Sequence, residues 1–293
     1  MNDFRGARFA RAVLVTALLA GCASSGAKPV DTQPVRVLPP DAAPVTAADV
    51  MPAGFTTAFA AVDARARAAL FQIQCSSTVL RLRASGSFGA VASAPRHVYC
   101  ERNADGVPIG GVFDIDTGYT RARRLIMIRL DGARARYTAA IDTAQVAVGA
   151  RLVRDITREV SPAWRRLARP FTVVSLPQDD ASMEGWVIPL SPRAGREVLG
   201  GDVALSYAAN GRLQRTVDRT ASWKLVVVPP SGPVRLPSAE RDVAAVADLV
   251  AARSLAERGR EVTVTTAVAR STLVPGTDVS GSRFHWEHVP VSP

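Results

Sequence analysis

Lysine is almost missing from this chain. Of its 36 basic residues only Lys28 and Lys224 are lysine, and the rest are arginine. The arginines are scattered rather than grouped with aromatics, and aromatic residues make up only 6% of the sequence. Nucleic-acid interfaces cluster basic charge on one face or element, so a nucleic-acid partner is excluded in spite of the net charge of +10. Arginine without lysine, beside abundant alanine, has the look of a GC-rich coding bias rather than of a built patch. Other absences are equally useful. There is no G-x-S-x-G elbow, no phosphate-binding P-loop, no H-E-x-x-H and no C-x-x-C. Those motifs carry a serine-hydrolase nucleophile, a nucleotide cradle, a zinc-protease site and a dithiol redox centre. Histidine and cysteine number three each. No segment reaches the ~20 apolar residues needed for a membrane-spanning helix.

What is present is concentrated first at the N-terminus. Arg5, Arg8 and Arg11 precede an apolar stretch from Ala12 to Ala20, which ends in Leu18-Leu19-Ala20-Gly21-Cys22. A stretch of that length matches the h-region of a secretory signal and is about half a bilayer span. A buried N-terminal helix is the alternative, but core packing gives no reason for a cysteine right after Leu-Ala-Gly. The run resembles the lipobox of bacterial lipoproteins. The resemblance covers residues 1–22 and implies removal of residues 1–21 with diacylglycerol attached at Cys22. It also implies a membrane partner reached through that lipid, since two acyl chains make anchoring stable. Ala23 stands where an aspartate would resemble an inner-membrane retention signal. The expected location is therefore the outer membrane, with the folded part facing the periplasm.

Residues 22–45 follow as a tether carrying Pro29, Pro34, Pro39, Pro40 and Pro44. Prolines at that density prevent helix and resist strand pairing. A partly polyproline-II chain of this length reaches roughly 70 Å when fully extended, at ~3.1 Å per residue. Residues 46–293 are the folded region, long enough for one large domain or two halves with a boundary near residue 170. A hydrophobic fraction of 47% supports a packed core. Without residues 1–21, which hold three arginines and one aspartate, the net charge is +8. That surface favours anionic neighbours such as lipopolysaccharide phosphates or peptidoglycan carboxylates, although a simply solvated basic surface explains it as well.

With Cys22 assigned to lipid, Cys75 and Cys100 remain as an even pair in an oxidising compartment, so a disulfide is expected. Its loop of ~25 residues contributes about 3.5 kcal/mol on the chain-entropy estimate. Two free buried thiols are the alternative.

The chain reads as α+β, with antiparallel, hairpin-rich sheets and about three amphipathic helices. Phe55, Phe59, Val62, Ala66 and Leu70 mark a helix to about Gln74, beginning near Gly54. Alternation then predicts strands over 77–83, 96–102 and 107–115, the last entered through a turn at 103–106. Asp131-Gly132 joins strands 124–130 and 133–141, and Asn210-Gly211 joins 202–208 and 212–218, with 222–228 continuing that meander. Between them Thr143 to Val160 reads as a helix with Val146, Leu152, Val153 and Ile156 inward, followed by a shorter turn capped by Ser161-Pro162. Strands are expected at 171–176, 185–190, 261–268 and 283–289. The final helix has Ser238 as N-cap and Gly259 just past its end.

Candidate chemistry is sparse. Asp114 and Asp116 lie two apart on one strand face, within reach of a cation or of acid–base work, but Arg121, Arg123 and Arg124 stand ready as ion-pair partners. His285-Trp286-Glu287-His288 would present both histidines to zinc on a helix. Its neighbours favour a strand, which sends 285 and 288 to opposite sides. Asp179-Asp180 with Glu184 reads as a polar loop, and Ser87 between glycines as a turn. No cofactor or metal is implied. Three functions follow. The first is an envelope lipoprotein whose domain binds or assembles with an envelope partner. The second is an exported hydrolase using Asp114 and Asp116, or His285 and His288, in a cleft. The third is direct contact of the basic surface with peptidoglycan or lipopolysaccharide.

Overall fold

Among the described residues three helices and thirteen strands carry the fold, an α+β arrangement in which nearly all strand pairs are antiparallel. The structure is a computed structural model, and it describes residues 51–86, 97–103, 105–130, 143–166, 170–178, 182–191, 195–200, 203–208, 210, 212–218, 224–238, 241–276 and 283–291. Cys22, the tether, Ser87, the Asp131-Gly132 turn with the strand expected after it, and Asp179-Asp180 lie outside those residues.

Helix α1 (Phe55–Ala84) is the spine. It starts where Gly54 takes φ +78°, a left-handed conformation that glycine adopts without strain. Its buried stripe runs Phe55, Phe59, Asp63, Ala66, Leu70, Cys75 and Val79. The strand expected over 77–83 is therefore a correction, because α1 continues through it. Ser77 to Arg83 alternates in hydrophobicity, but Val79 falls four residues after Cys75 and extends the helical stripe, while Leu80 is left 48% exposed. Thr78 Oγ1 further donates to the Gln74 carbonyl at 2.9 Å, a bond that only helical backbone allows.

Strands β1 (His97–Arg102), β2 (Pro108–Ile115) and β3 (Ala122–Arg129) form an antiparallel meander. Asn103 makes the first turn by accepting the backbone N–H groups of Asp105 and Val107 on Oδ1. This sheet is buried on both faces. Cys100, Val112 and Ile128 pack with Cys75 and Val79 of α1. Tyr99, Ile109, Phe113 and Met127 pack with Val146 of α2 (Thr143–Arg166). Gly110 brings α1 close, since a Cβ there would lie 2.5 Å from Val79 Cγ2.

Helix α2 also departs from expectation. It runs unbroken through Pro162, where the sequence predicts a stop and a second, shorter turn. A proline inside a helix removes one donor from the ladder, and this helix keeps its course with that bond missing. Its inward residues Val146, Leu152 and Ile156 are fully buried, while Val153 is half-buried.

A second sheet has the order β4 (Phe171–Pro177), β5 (Met183–Pro189), β7 (Val203–Tyr207), β8 (Leu213–Asp218). One face, with Met183, Val187 and Leu205, packs on Leu152 and Ile156 of α2. The hairpin at Asn210 is present, but the meander does not continue. Strand β9 (Lys224–Val227) pairs instead with β6 (Arg196–Leu199), a strand not visible in the alternation pattern.

The third sheet, β10 (Val234–Ser238), β11 (Val262–Thr266), β12 (Ala269–Pro275) and β13 (Phe284–Pro290), holds the one parallel pair among the described strands. β10 and β11 are joined by the crossover helix α3 (Val246–Glu257), as parallel neighbours require. Ser238 is thus not an N-cap. It ends β10, and α3 begins eight residues later, where Asp248 Oδ2 accepts both the Ser238 hydroxyl at 2.6 Å and the Ala245 N–H at 3.2 Å. At the other end Gly259, φ +78°, closes the helix as expected. Its N–H reaches the Ala256 carbonyl, and the next N–H, from Arg260, reaches Leu255.

Candidate functional site

The sequence-predicted residues fall into separate places. Cys75 and Cys100 sit at disulfide-bonding distance, with Cα atoms 6.2 Å apart, and fasten α1 to β1. Asp114, in β2, is paired with Arg123 at 2.8 Å. Asp116 closes the β2–β3 turn, accepting the backbone N–H groups of Thr120 and Arg121 and the Thr120 hydroxyl at 2.6–2.9 Å. Those bonds, led by the Thr120 hydroxyl, hold its carboxyl below the usual range. A carboxylate so occupied keeps its charge and organises a turn, and has few lone pairs left for substrate.

His285 and His288 are both in β13, in a different sheet from the two aspartates. His285 lies 3.5 Å from Glu287. His288 faces the opposite way, edge-on to Phe55 and Phe59 of α1, and shares a 2.8 Å hydrogen bond with Ser271. Burial lowers the His288 pKa, and the negative charge of Asp63 opposes that shift. A serine, a histidine and an aspartate in one neighbourhood invite comparison with a hydrolytic triad. Here the Ser271 residue has no solvent exposure at all, so its hydroxyl cannot meet a substrate. The Asp63 carboxylate is committed elsewhere, to a forked Arg253 pair at 2.6 and 2.7 Å and to the Trp286 indole N–H at 2.9 Å. This is a buried polar joint between α1, α3 and β13. Among the described residues no group of three or more His, Cys, Asp or Glu side chains is placed to hold a metal ion.

The cleft that does open lies on the second face of the β4-β5-β7-β8 sheet. Strand alternation and register put Glu184, Trp186, Ala204, Ser206 and Arg215 on that face, with Glu184 opposite Ser206, Trp186 opposite Ala204, and Ser206 opposite Arg215. Helix α1 covers the β4 side. The β7–β8 side is left open between Val62 and Arg65 of α1 and Ala244 and Val246 at the start of α3. The resulting cavity has a volume of about 230 Å³. Arg65 clamps Glu184 through Nε and Nη2 at 3.0 and 3.3 Å, and the Trp186 indole N–H donates to the same carboxylate at 3.1 Å. Arg65 and Glu184 neutralise one another, whereas Arg215 has no ion-pair partner among the described residues.

Glu184 is therefore on a strand, not in a polar loop as its sequence neighbours indicate. Nothing local in the sequence marks this cleft. Arg65 and Glu184 are 119 residues apart, and only the packing of α1 on the β4 side of this sheet unites them. A smaller cavity beside Asp248 is lined by Gly200, Lys224, Ser238 and Arg241. Its carboxylate already accepts the Gly200 N–H as well as Ser238 and Ala245. Comparison with known protein families, with curated proteins and with solved structures finds no match for this chain.

Proposed function

We propose that this chain is a lipid-anchored envelope lipoprotein, held at the outer membrane through Cys22, with a periplasm-facing domain that binds or assembles with an envelope partner. The observation that carries the reading is Leu18-Leu19-Ala20-Gly21-Cys22, placed directly after an apolar stretch led by three arginines. Two further features support it. Cys75 and Cys100 lie at bonding distance, which suits a compartment where disulfides persist. The folded region also presents an open cleft in which Arg65, Glu184 and Trp186 fix one another while Arg215 faces the opening, a geometry suited to holding a ligand. The carboxylates and histidines considered for hydrolysis are engaged in a turn, an ion pair and a buried joint, so binding is the better supported role.

Cell fractionation tests the anchor. The native protein is expected in the outer-membrane fraction and resistant to high-salt washing. Cys22→Ser is expected to remain as an uncleaved precursor or to leave that fraction. Identical fractionation of the two proteins would contradict the proposal.

A further inference from the structure

We propose that the cleft between α1, the β5-β7-β8 face and the start of α3 binds a small amphipathic carboxylate, its apolar body inside and its head group on Arg215. The inference deepens the binding role above and rests on that reading for its setting in the envelope. Its physical basis is local.

Size comes first. The cleft volume of about 230 Å³ is many times the ~10–15 Å³ that a single water needs on the same measure, so the cleft admits a fragment-sized molecule. Charge comes next. Of the three ionisable groups in the lining, Arg65 and Glu184 cancel through a two-point contact. Arg215 remains, on an exposed strand position, as the one cation of the lining without an ion-pair partner among the described residues. One guanidinium with no competing carboxylate selects a singly charged anion, and its planar fork matches the two oxygens of a carboxylate. Ser206, its cross-strand neighbour on the same face, supplies a hydroxyl beside it. The walls supply the third element. Val62, Ala204 and Val246 are aliphatic, and the half-buried Trp186 has its N–H tied to Glu184, so what the indole offers a ligand is apolar surface. An anion lacking an apolar body would leave those walls wet, and an apolar molecule lacking the anion would leave Arg215 unused.

Such an acid can come from an acyl chain or from an aromatic compound, and titration calorimetry distinguishes them. The full chain in a nonionic detergent is titrated with octanoate, with 4-phenylbutyrate and with uncharged octanamide. At least one acid is expected to bind saturably with one site per chain, and octanamide at least tenfold more weakly. Tighter binding of octanoate assigns an acyl source, and tighter binding of 4-phenylbutyrate an aromatic one. Arg215→Ala should weaken the preferred acid at least tenfold, while Arg215→Lys, which keeps the charge, recovers part of the loss. Absence of saturable binding by either acid would overturn the proposal. So would binding by Arg215→Ala, or of octanamide, equal to that of the acid on the native chain. The readout is independent of the lipid: a chain that binds the acid with an unmodified Cys22 refutes the anchor alone, and a lipidated chain that binds neither acid refutes the cleft alone.

Discussion

At the residue scale the most consequential group is Asp63. It is a carboxylate at 5% exposure inside a hydrophobic helix stripe, answered by Arg253 at 4% exposure. Burying both charges costs heavily and their forked contact offsets that cost, so removing one partner, which strands the other charge, is far worse than removing both. Asp63→Ala is expected to lower stability by about 3–5 kcal/mol, read as a shift in the urea midpoint at unchanged slope. His97 is a quieter case. Its Nε2 is buried with no hydrogen-bond partner among the described residues, and desolvation lowers its pKa from 6.5 to about 4. The folded chain therefore resists the proton that the unfolded chain accepts. Stability is at its full value above pH 6.5 and falls as the pH drops from 6.5 toward 4, by on the order of 2–3 kcal/mol from this group. Burial of His288 adds to the loss in the same direction. In His97→Gln the slope of stability against pH over that window should be shallower. An unchanged slope would remove His97 from the account.

At the scale of elements, closeness depends on the smallest side chains. A Cβ at Gly185 of β5 would lie 2.2 Å from Leu152 Cδ2 and 2.3 Å from Ile156 Cδ1 of α2. Both leucine and isoleucine are fully buried there, so neither can swing aside freely. Gly185→Ala is expected to destabilise by about 1–3 kcal/mol through overpacking. A thermal midpoint equal to that of the native protein would show that α2 rides looser on β5 than its packing indicates. The elements themselves were unevenly legible. Strong periodicity marked the start of α1 and the core of α2, Asn103 and Asn210 announced their turns by side-chain chemistry, and Gly259 its cap by lacking a Cβ. The misses share a physical cause. The 77–83 segment has a strand's alternation, but the tertiary contacts of Cys75 and Val79 keep it helical. Strand β6 is four residues long and β10 contains Pro237, so neither shows a readable period. Ser238 has the chemistry of a cap but spends its hydroxyl on Asp248 from the end of a strand.

At the scale of the molecule, α1 is the common support. It packs on the first sheet near Cys75 and Val79, on the third through Phe59 and Trp286, and on the second through Arg65 and Glu184. A further hydrogen bond joins Gln74 to Glu257 at the end of α3. One consequence is that the α+β class could be read from the chain while the cleft could not. Fold class follows from local period and turn chemistry. The cleft follows from which sheet face a 30-residue helix leaves uncovered, a matter of long-range packing that no window of residues encodes. The anchor stands at the other extreme, since everything proposed about it is written in a few adjacent residues.

That proposal is the centre of the account, and intact-mass analysis of the N-terminal peptide tests it most directly. The expected species begins at Cys22 and carries a diacylglyceryl group on sulfur. A peptide that still begins at Met1, with Cys22 as a free thiol, would contradict it.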